Sequence, residues 1–502
     1  MNEEIKKNLI TRSPVVVILG HVDHGKSSIL EAVKDLKITS RESGGITQHI
    51  AAYEIEHPSA TSGQGRKITF VDTPGHEAFS AMRSRGSKVA DIAILVIAAE
   101  EGIKPQTKEA IAHIKEAGIP MIVALNKIDK PQADPEKVKR DLISEEVLVE
   151  SMGGKIPSIN VSAQTKKGIN DLLEMISLIA EMENFQVDIS GPAEGIIVES
   201  HVNPNTGIVA TLIIKSGILK IGDIFGTFSA IGKIKGIKNF QGEDVKEATP
   251  SMPVVIIGFD KIPGVGEVLK VFSTTEEAKQ QVGEKENLFE KIKVEDEDSV
   301  LKLIIKADVQ GSLEAIKEVL KTIPQGKAVI QVLKAEVGEI NDSDIQMAKT
   351  SGAMTVGFRV KTNPIARKLA LRERIRIISF DVIYHLVESI KIALEKKVAH
   401  EIVRKNLGKL KILAIFKTDK DSQIIGGKVI SGEIIRGASV DIFRDEEKIG
   451  RGKIAKLQKE KKEVGEVGKG HECGMLFKGD TEVLEDDILE VFTEERYKPG
   501  LE

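Results

Sequence analysis

VVVILGHVDHGKSSILEAV (residues 15–33) joins five consecutive aliphatic residues to a glycine-bounded loop and then to a stretch with helical spacing of its apolar residues. The aliphatic run predicts a buried strand, and KSSILEAVKDL predicts the helix that follows. The loop fits glycine, four residues, Gly-Lys-Ser, in the strand–loop–helix setting that a phosphate-cradling motif requires. Gly20 and Gly25 let backbone amides turn inward at a helix N-terminus, which favours anions. Lys26 is expected to reach β- and γ-phosphates, and the Ser27 hydroxyl to ligate Mg²⁺. His21, Val22, Asp23, His24 and Ser28 complete the expected cradle.

Working outward, short apolar runs alternate with amphipathic stretches from Pro14 to about Met182, which predicts a parallel, doubly wound sheet. Asp72 ends the run ITFVD, the expected place for a carboxylate that holds Mg²⁺ through water, and Gly75 lets a backbone amide approach a γ-phosphate. NKID (126–129) closes another strand. Asn126 and Asp129 suit the guanine edge, with Lys127 between them, because a carboxylate accepts from two N–H groups that adenine lacks. Ser162, Ala163 and Gln164 follow a further strand and are placed to close over the base. Four such loops in order, each at a strand's carboxyl end, point to a GTPase that binds GTP and GDP.

SGGITQHIAAYEIE (43–56) is read as a switch in which Thr47 joins Mg²⁺, against the plainer reading of a surface loop. His76 follows the Pro-Gly turn of DTPGHEAF, four residues past Asp72. From there its ring can orient the attacking water, with Val22 and Ile46 as an apolar gate that holds it back until a partner acts. A metal-handling role for His21, His24, His49 and His76, or a mere helix-start role for His76, stays open.

The chain has 502 residues, too many for one core, so three or four domains are expected. A formal charge of −4 means that any nucleic-acid surface must be local. Cys473 is the only cysteine, which excludes an intramolecular disulfide. The opening residues lack a signal-peptide core, and no run of about 18 apolar residues exists. A soluble cytoplasmic protein with no membrane partner is expected.

Beyond the first region, short glycine-punctuated strands from about Gly195 to Phe272 predict an antiparallel barrel. STTEEAKQQVGEKENLFEKIKVEDEDS reads as a connector whose acidic end is solvated linker. VLKLIIKADVQGSLEAIKEVLKTI (300–323) returns to strand, turn and helix, and YHLVESIKIALEKKVAHEIVRK (384–405) reads as one long helix. The last segment is again short strands and glycines. KSGILKIGD (215–223) resembles ISGEIIRGA (430–438), and GEVLKVF (266–272) resembles DDILEVF (486–492), so two similar barrels are expected, with shared turn chemistry by chance as the alternative.

GHVDHGKSS, GGITQHI, DTPGHEAF and NKID together resemble translational GTPases. More narrowly, ESGGITQHIAAY, DTPGHEAFSAMRSRG, IKADVQGSLEAI and HECG resemble the bacterial translation initiation factor 2 family, and the likeness runs from residue 13 to 493. The resemblance implies a multidomain α/β plus β protein. Residues 1–186 would be a P-loop GTPase domain, 187–274 a first β-barrel and 275–299 a linker. Residues 300–380 would be an α/β domain, 381–407 a connecting helix and 408–502 a C-terminal β-barrel that binds initiator tRNA. It implies formylmethionyl initiator tRNA, both ribosomal subunits and other initiation factors as partners, hydrolysis triggered by the large subunit, and a monomer off the ribosome. It also carries the water-orienting role onto His76. Glu472, Cys473 and Gly474 match the family's Glu-Cys-Gly turn, Phe416 matches its aromatic, and Lys459 is the nearest basic match. Cys473 also reads as a small buried residue.

Some positions depart from the pattern. His471 stands where the family usually has tyrosine, and LQKEKK replaces a Leu-Lys-Arg-aromatic stretch. The long N-terminal extension of many members is not in this sequence, so functions housed there are not assumed. Residues 444–462 hold eight basic and four acidic side chains, and 358–376 hold seven and one. Either could meet RNA phosphates or be a solvated face. Two rivals remain: an elongation factor delivering aminoacyl-tRNA, and a GTP-regulated scaffold with negligible turnover.

Overall fold

The structure is a computed structural model that describes residues 9–34, 50–58, 65–75, 77–283, 299–325, 328–397, 401–419, 421–460 and 462–497. Ile46, Thr47, His49, His76 and the acidic stretch 295–298 lie outside the described residues. The chain forms two compact units, residues 1–324 with 329–394, and residues 325–328 with 395–502.

In the first unit, β1 (Leu9–Thr11) precedes β2 (Val15–Gly20), α1 (Lys26–Lys34), β3 (Ala51–Pro58), β4 (Gly65–Asp72) and α2 (Ser80–Val89). Then come β5 (Ile92–Ala98), α3 (Pro105–Ala117), β6 (Met121–Asn126), α4 (Pro135–Ser144), β7 (Ser158–Asn160) and α5 (Ile169–Glu183). The sheet order is β3-β4-β2-β5-β6-β7. Strands β2, β5 and β6 are buried along their whole length, which is why their sequences are continuous aliphatic runs rather than alternating ones. The sheet is not wholly parallel as expected, because β3 runs antiparallel to β4 at the edge. The link between them, residues 59–64, is too short for a crossover, which needs a dozen or more residues.

Residues 194–272 close into a barrel with strands in the order 224–226, 268–272, 194–203, 207–216, 253–259 and 231–239, the last pairing back to the first. Arg12 fastens this barrel to the GTPase-like sheet. Its guanidinium donates to both Asp91 oxygens at 2.5 and 2.6 Å and to Ser251 Oγ at 3.2 Å, while Thr69 Oγ1 donates to Ser251 O at 2.7 Å. A short helix, α6 (Thr275–Gln280), follows. Next comes a four-stranded parallel sheet in the order 329–337, 300–307, 354–358, 377–380, with α7 (Gln310–Thr322), α8 (Asp342–Ser351) and α9 (Pro364–Glu373) as its crossovers.

The expected long helix is shorter. Helix α10 covers Ile383–Glu395, and Glu401 already begins a strand that runs to Asp419. Residues expected to be helical up to 405 instead pair with 493–497. Arg404 there lies 3.9 Å from the Phe492 ring centroid and bonds Asp441 Oδ2 at 2.5 Å, contacts that reward the extended form over the helix. The terminal barrel therefore starts at Glu401, not at 408. Its strands are also long, with glycines inside them. The order is 401–419, 488–497, 439–444, 447–459, 472–479 and 422–435, closing on the first.

Candidate nucleotide site

The predicted loop residues converge at the carboxyl ends of β2, β4, β6 and β7. Gly20 and Gly25 have φ of 146° and 87°, and Asp23 also takes a left-handed φ of 63°. A Cβ on Gly20 would stand 2.3 Å from Val96 O, and one on Gly25 2.3 Å from Asn126 Nδ2. Only glycine fits either place. Val22 N donates to Gln106 Oε1 at 2.9 Å, so the first turn of α3 holds the loop's outer edge. His24 is buried with Nδ1 3.4 Å from Val96 O, and its ring meets His21 edge-on. Burial, aided by His21, pulls His24 down to about 4, so it is neutral at pH 7.

Lys26 Nζ donates to Gly20 O at 3.0 Å and His21 O at 2.7 Å. Burial lowers its pKa to about 8; Asp72 opposes that shift and Arg83 adds to it. A buried ammonium turned onto loop carbonyls is a cation set to receive an anion. Ser27 Oγ donates to Asp72 Oδ2 at 3.3 Å, which puts a hydroxyl and a buried carboxylate together where Mg²⁺ chemistry needs them. A Cβ on Gly75 would lie 2.4 Å from Lys26 Nζ and 3.2 Å from Val22 Cγ2. Val22, one side of the expected gate, is thus beside Gly75. The cradle and donor set fit a nucleoside phosphate with Mg²⁺. Ser28 is exposed on α1.

Asn126 ties the two halves of the site together. Its Nδ2 donates to His24 O at 2.9 Å, and its Oδ1 accepts from Ala163 N at 3.2 Å. Asp129 is exposed and accepts from Ser162 Oγ at 2.6 Å, a bond that holds its carboxyl below the usual range. Ser162 Oγ also accepts from Thr165 N at 3.1 Å, leaving Gln164 exposed at the bend. Lys127, at a left-handed φ of 62°, pairs with Glu100 and Glu101.

Sequence reasoning missed Gln106 and a buried network behind the Pro-Gly turn. Arg83 donates to Pro74 O at 3.1 Å and Glu109 Oε1 at 2.6 Å. Their only sequence signal is a charge on the buried side of α2, beside Met82 and Gly86.

In the terminal barrel, Phe416 is 69% exposed at a β-bulge and stands over Gly426, where a Cβ would come within 2.8 Å of the ring. Gly426 pairs with Gly474, and Gly474 with Gln458, so Phe416 borders a floor of bare backbone. Glu472 is exposed and Lys459 half-buried nearby in the ladder. Cys473 points the other way, into the barrel core, and burial pushes its thiol up to about 11. Any contribution of Cys473 to a surface site passes through its backbone. The basic run 444–462 is partly neutralised within the barrel. Arg444 pairs with Asp487, Lys448 with Asp441, Arg451 with Glu494, and Lys456 with Glu463.

No helix among the described residues is long and apolar enough to cross a membrane. Residues 11–182 match the Elongation factor Tu GTP binding domain, 192–272 match Elongation factor G domain 2, and 274–391 match Translation-initiation factor 2. "Translation initiation factor IF-2" of Carboxydothermus hydrogenoformans is 41% identical over 99% of this chain and 61% of its own length. Its namesakes in Ruegeria pomeroyi and Pelotomaculum thermopropionicum are 41% and 40% identical over 98% and 99% of this chain. The chain spans 60% and 52% of those two relatives' lengths. The solved structure of GDP-bound aIF5B from Aeropyrum pernix is 25% identical over 96% of this chain and 92% of its own, with a TM-score of 0.46. Over nearly its whole length the chain is similar to translation initiation factor 2, and its first domain to the GTP binding domain of elongation factor Tu.

Proposed function

We propose that the protein is a translation initiation GTPase. It binds formylmethionyl initiator tRNA, promotes joining of the ribosomal subunits, and hydrolyses GTP when the large subunit stimulates it. The observation that carries this reading is the convergence of Lys26, Asp72, Gly75, Asn126 and Asp129 at neighbouring strand ends.

Lys26 leaves its two loop carbonyls to neutralise phosphate oxygens, and the Gly75 amide contacts the γ-phosphate. Asp129 accepts from the guanine N–H groups while Asn126 keeps the phosphate and base loops in register. Ser27, Thr47 and, through water, Asp72 would hold Mg²⁺, which supplies charge neutralisation across the β- and γ-phosphates. His76 orients the attacking water once Val22 and Ile46 part. Phe416, Lys459, Glu472 and Gly474 receive the aminoacyl end of the tRNA, on the bare floor beside the Phe416 ring. Both ribosomal subunits and the other initiation factors are its partners, in the cytoplasm, and off the ribosome it is a monomer.

GTP hydrolysis by wild type and His76→Ala, each with and without 70S ribosomes, tests this. Strong stimulation of the wild type and a loss of about a hundredfold or more in the variant, with GTP binding intact, is expected. Equal stimulation of both would remove His76 from the chemistry, and no stimulation of either would favour the scaffold reading.

A further inference from the structure

Arg83 is fully buried, with both ends of its guanidinium committed. A buried guanidinium is costly unless its donors are used in a fixed geometry. Here one end donates to Pro74 O at 3.1 Å, and the other to Glu109 Oε1 at 2.6 Å on α3. Glu109 is further held by His113 Nε2 at 3.4 Å, itself 3.3 Å from Ser80 Oγ. Burial alone would raise the Glu109 carboxyl. Hydrogen bonds from His113, Arg83 and Ser80, with the charge of Arg83, outweigh burial and bring it to about 2. The carboxylate is therefore anionic throughout the working range, and the Arg83 anchor does not loosen near neutral pH.

The acceptor matters more than the anchor. Pro74 C=O and Gly75 N–H belong to one planar peptide, trans like every described peptide in the chain, so they point in opposite directions. Pinning the carbonyl oxygen toward α2 and α3 turns the Gly75 amide the other way. A Cβ of Gly75 would meet Lys26 Nζ and Val22 N, so this residue packs against the phosphate loop while its amide is turned away from the pinned carbonyl. Thr73 is held separately, its Oγ1 donating to Ile18 O at 3.0 Å. The residue before the pinned peptide is thus fixed to the sheet, and Arg83 fixes the peptide's orientation from the helix side.

We propose that Arg83 is a positioning residue for γ-phosphate recognition, acting through the Pro74 carbonyl to aim the Gly75 amide and so favouring GTP over GDP. The inference rests on the nucleotide reading above. Arg83 does not touch the nucleotide. It sets the direction of a backbone donor that a diphosphate would leave unused.

The test compares the affinities of the full chain for GDP and for a non-hydrolysable GTP analogue, with melting temperature alongside. Arg83→Met should weaken the GTP analogue by about tenfold or more, the worth of one aimed hydrogen bond to a charged group, with GDP affinity within about twofold of wild type. Arg83→Lys should recover part of that loss, because an ammonium can still reach the carbonyl. Arg83→Met leaves the half-buried Glu109 without its cation and so risks misfolding. Arg83→Met/Glu109→Leu removes the pair together and should show the same loss of the GTP-to-GDP ratio in a folded protein. An unchanged ratio, or GDP and GTP affinities falling in parallel with the melting temperature, would overturn the inference while leaving the nucleotide site standing. Failure of the wild type to bind either nucleotide would overturn the nucleotide reading, and this inference with it.

Discussion

The two barrels are built on one plan and differ at one matching edge. Both close through the same cycle of six antiparallel strands. Gly217 and Gly222 in the first have φ of 67° and 97°, and Gly432 and Gly437 in the second have 66° and 88°. Gly222 N donates to Ile234 O at 2.9 Å as Gly437 N does to Ile454 O at 2.8 Å. The closing strands repeat it too. Gly266 and Asp486 are both left-handed, and their amides donate to Ile197 O and Ile412 O. Gly264 N reaches the Glu267 carboxylate three residues on, as Leu484 N reaches that of Asp487.

What differs is the second half of the first long strand. In the first barrel, Glu199 Oε1 accepts from Gly311 N at 3.2 Å and His201 bridges to Val309, so that edge is spent holding the α/β domain. In the terminal barrel the matching Ala414 and Ile415 lead into a bulge that turns Phe416 outward. A bulge inserts one residue and re-aims a side chain without disturbing the rest of the ladder. One added residue separates an edge that holds the α/β domain from one that presents an exposed aromatic. Glu472-Cys473-Gly474, expected as a turn, opens a strand and stands where the first barrel has Pro253-Val254-Val255, with Cys473 filling the core place of buried Val254.

The harshest way to break the equivalence is to put alanine at its glycines. A Cβ on Gly432 would lie 2.0 Å from Leu407 O and one on Gly217 2.6 Å from Ala193 Cα, both backbone atoms that cannot yield. Gly432→Ala and Gly217→Ala should each cost about 3 kcal/mol or more in calorimetric unfolding, from strain and overlap together. Gly437→Ala and Gly222→Ala meet nothing within 4 Å and should cost about 1 kcal/mol. A Gly217 variant as mild as Gly222→Ala would end the equivalence.

Phe416→Ala sharpens the functional contrast. Being mostly exposed, it should leave the unfolding midpoint in place while initiator-tRNA binding weakens by about 1–3 kcal/mol, the scale of one lost base–aromatic contact. Filter binding with formylated and unformylated tRNA reads this directly, and unchanged affinity would move the tRNA end elsewhere.

A pH-dependent contrast concerns Asp441, buried in the terminal barrel where the first has Gly226. Burial would raise its carboxyl, but Lys448 and Arg404 hold it below the usual range. Asp441→Asn should cost about 1–2 kcal/mol at pH 7, less than a fully buried pair because both cations remain partly exposed. A carboxyl lowered in the folded state stabilises above its unfolded value of about 4 and loses that contribution as pH falls. The gap between wild type and variant should therefore close below pH 4. A gap independent of pH would mean that shape, not charge, matters at this position.

The strand-end loops were legible because each is a backbone turn with single side chains at fixed local spacing. Gly25, Lys26, Asp72, Asn126 and Asp129 could each be named from a handful of neighbouring residues. Gln106, Arg83 and Glu109 could not, since each acts on a residue far along the chain and lies in an otherwise ordinary helix. Residues 401–405 were misread for the same reason. Their local pattern continues a helix, and the Arg404 contacts with Phe492 and Asp441 that favour a strand come from distant strands.

The sequence by itself determined the kind of domain at each place and the chemistry of the nucleotide loops, because period, glycine position and motif spacing are local properties of a chain. Only the tertiary structure decided that β3 turns back antiparallel, that Cys473 faces the core while Phe416 faces out, and that a buried arginine aims the Pro74–Gly75 peptide. Those outcomes depend on which distant groups satisfy a buried donor or fill a core, and such partners are chosen in three dimensions.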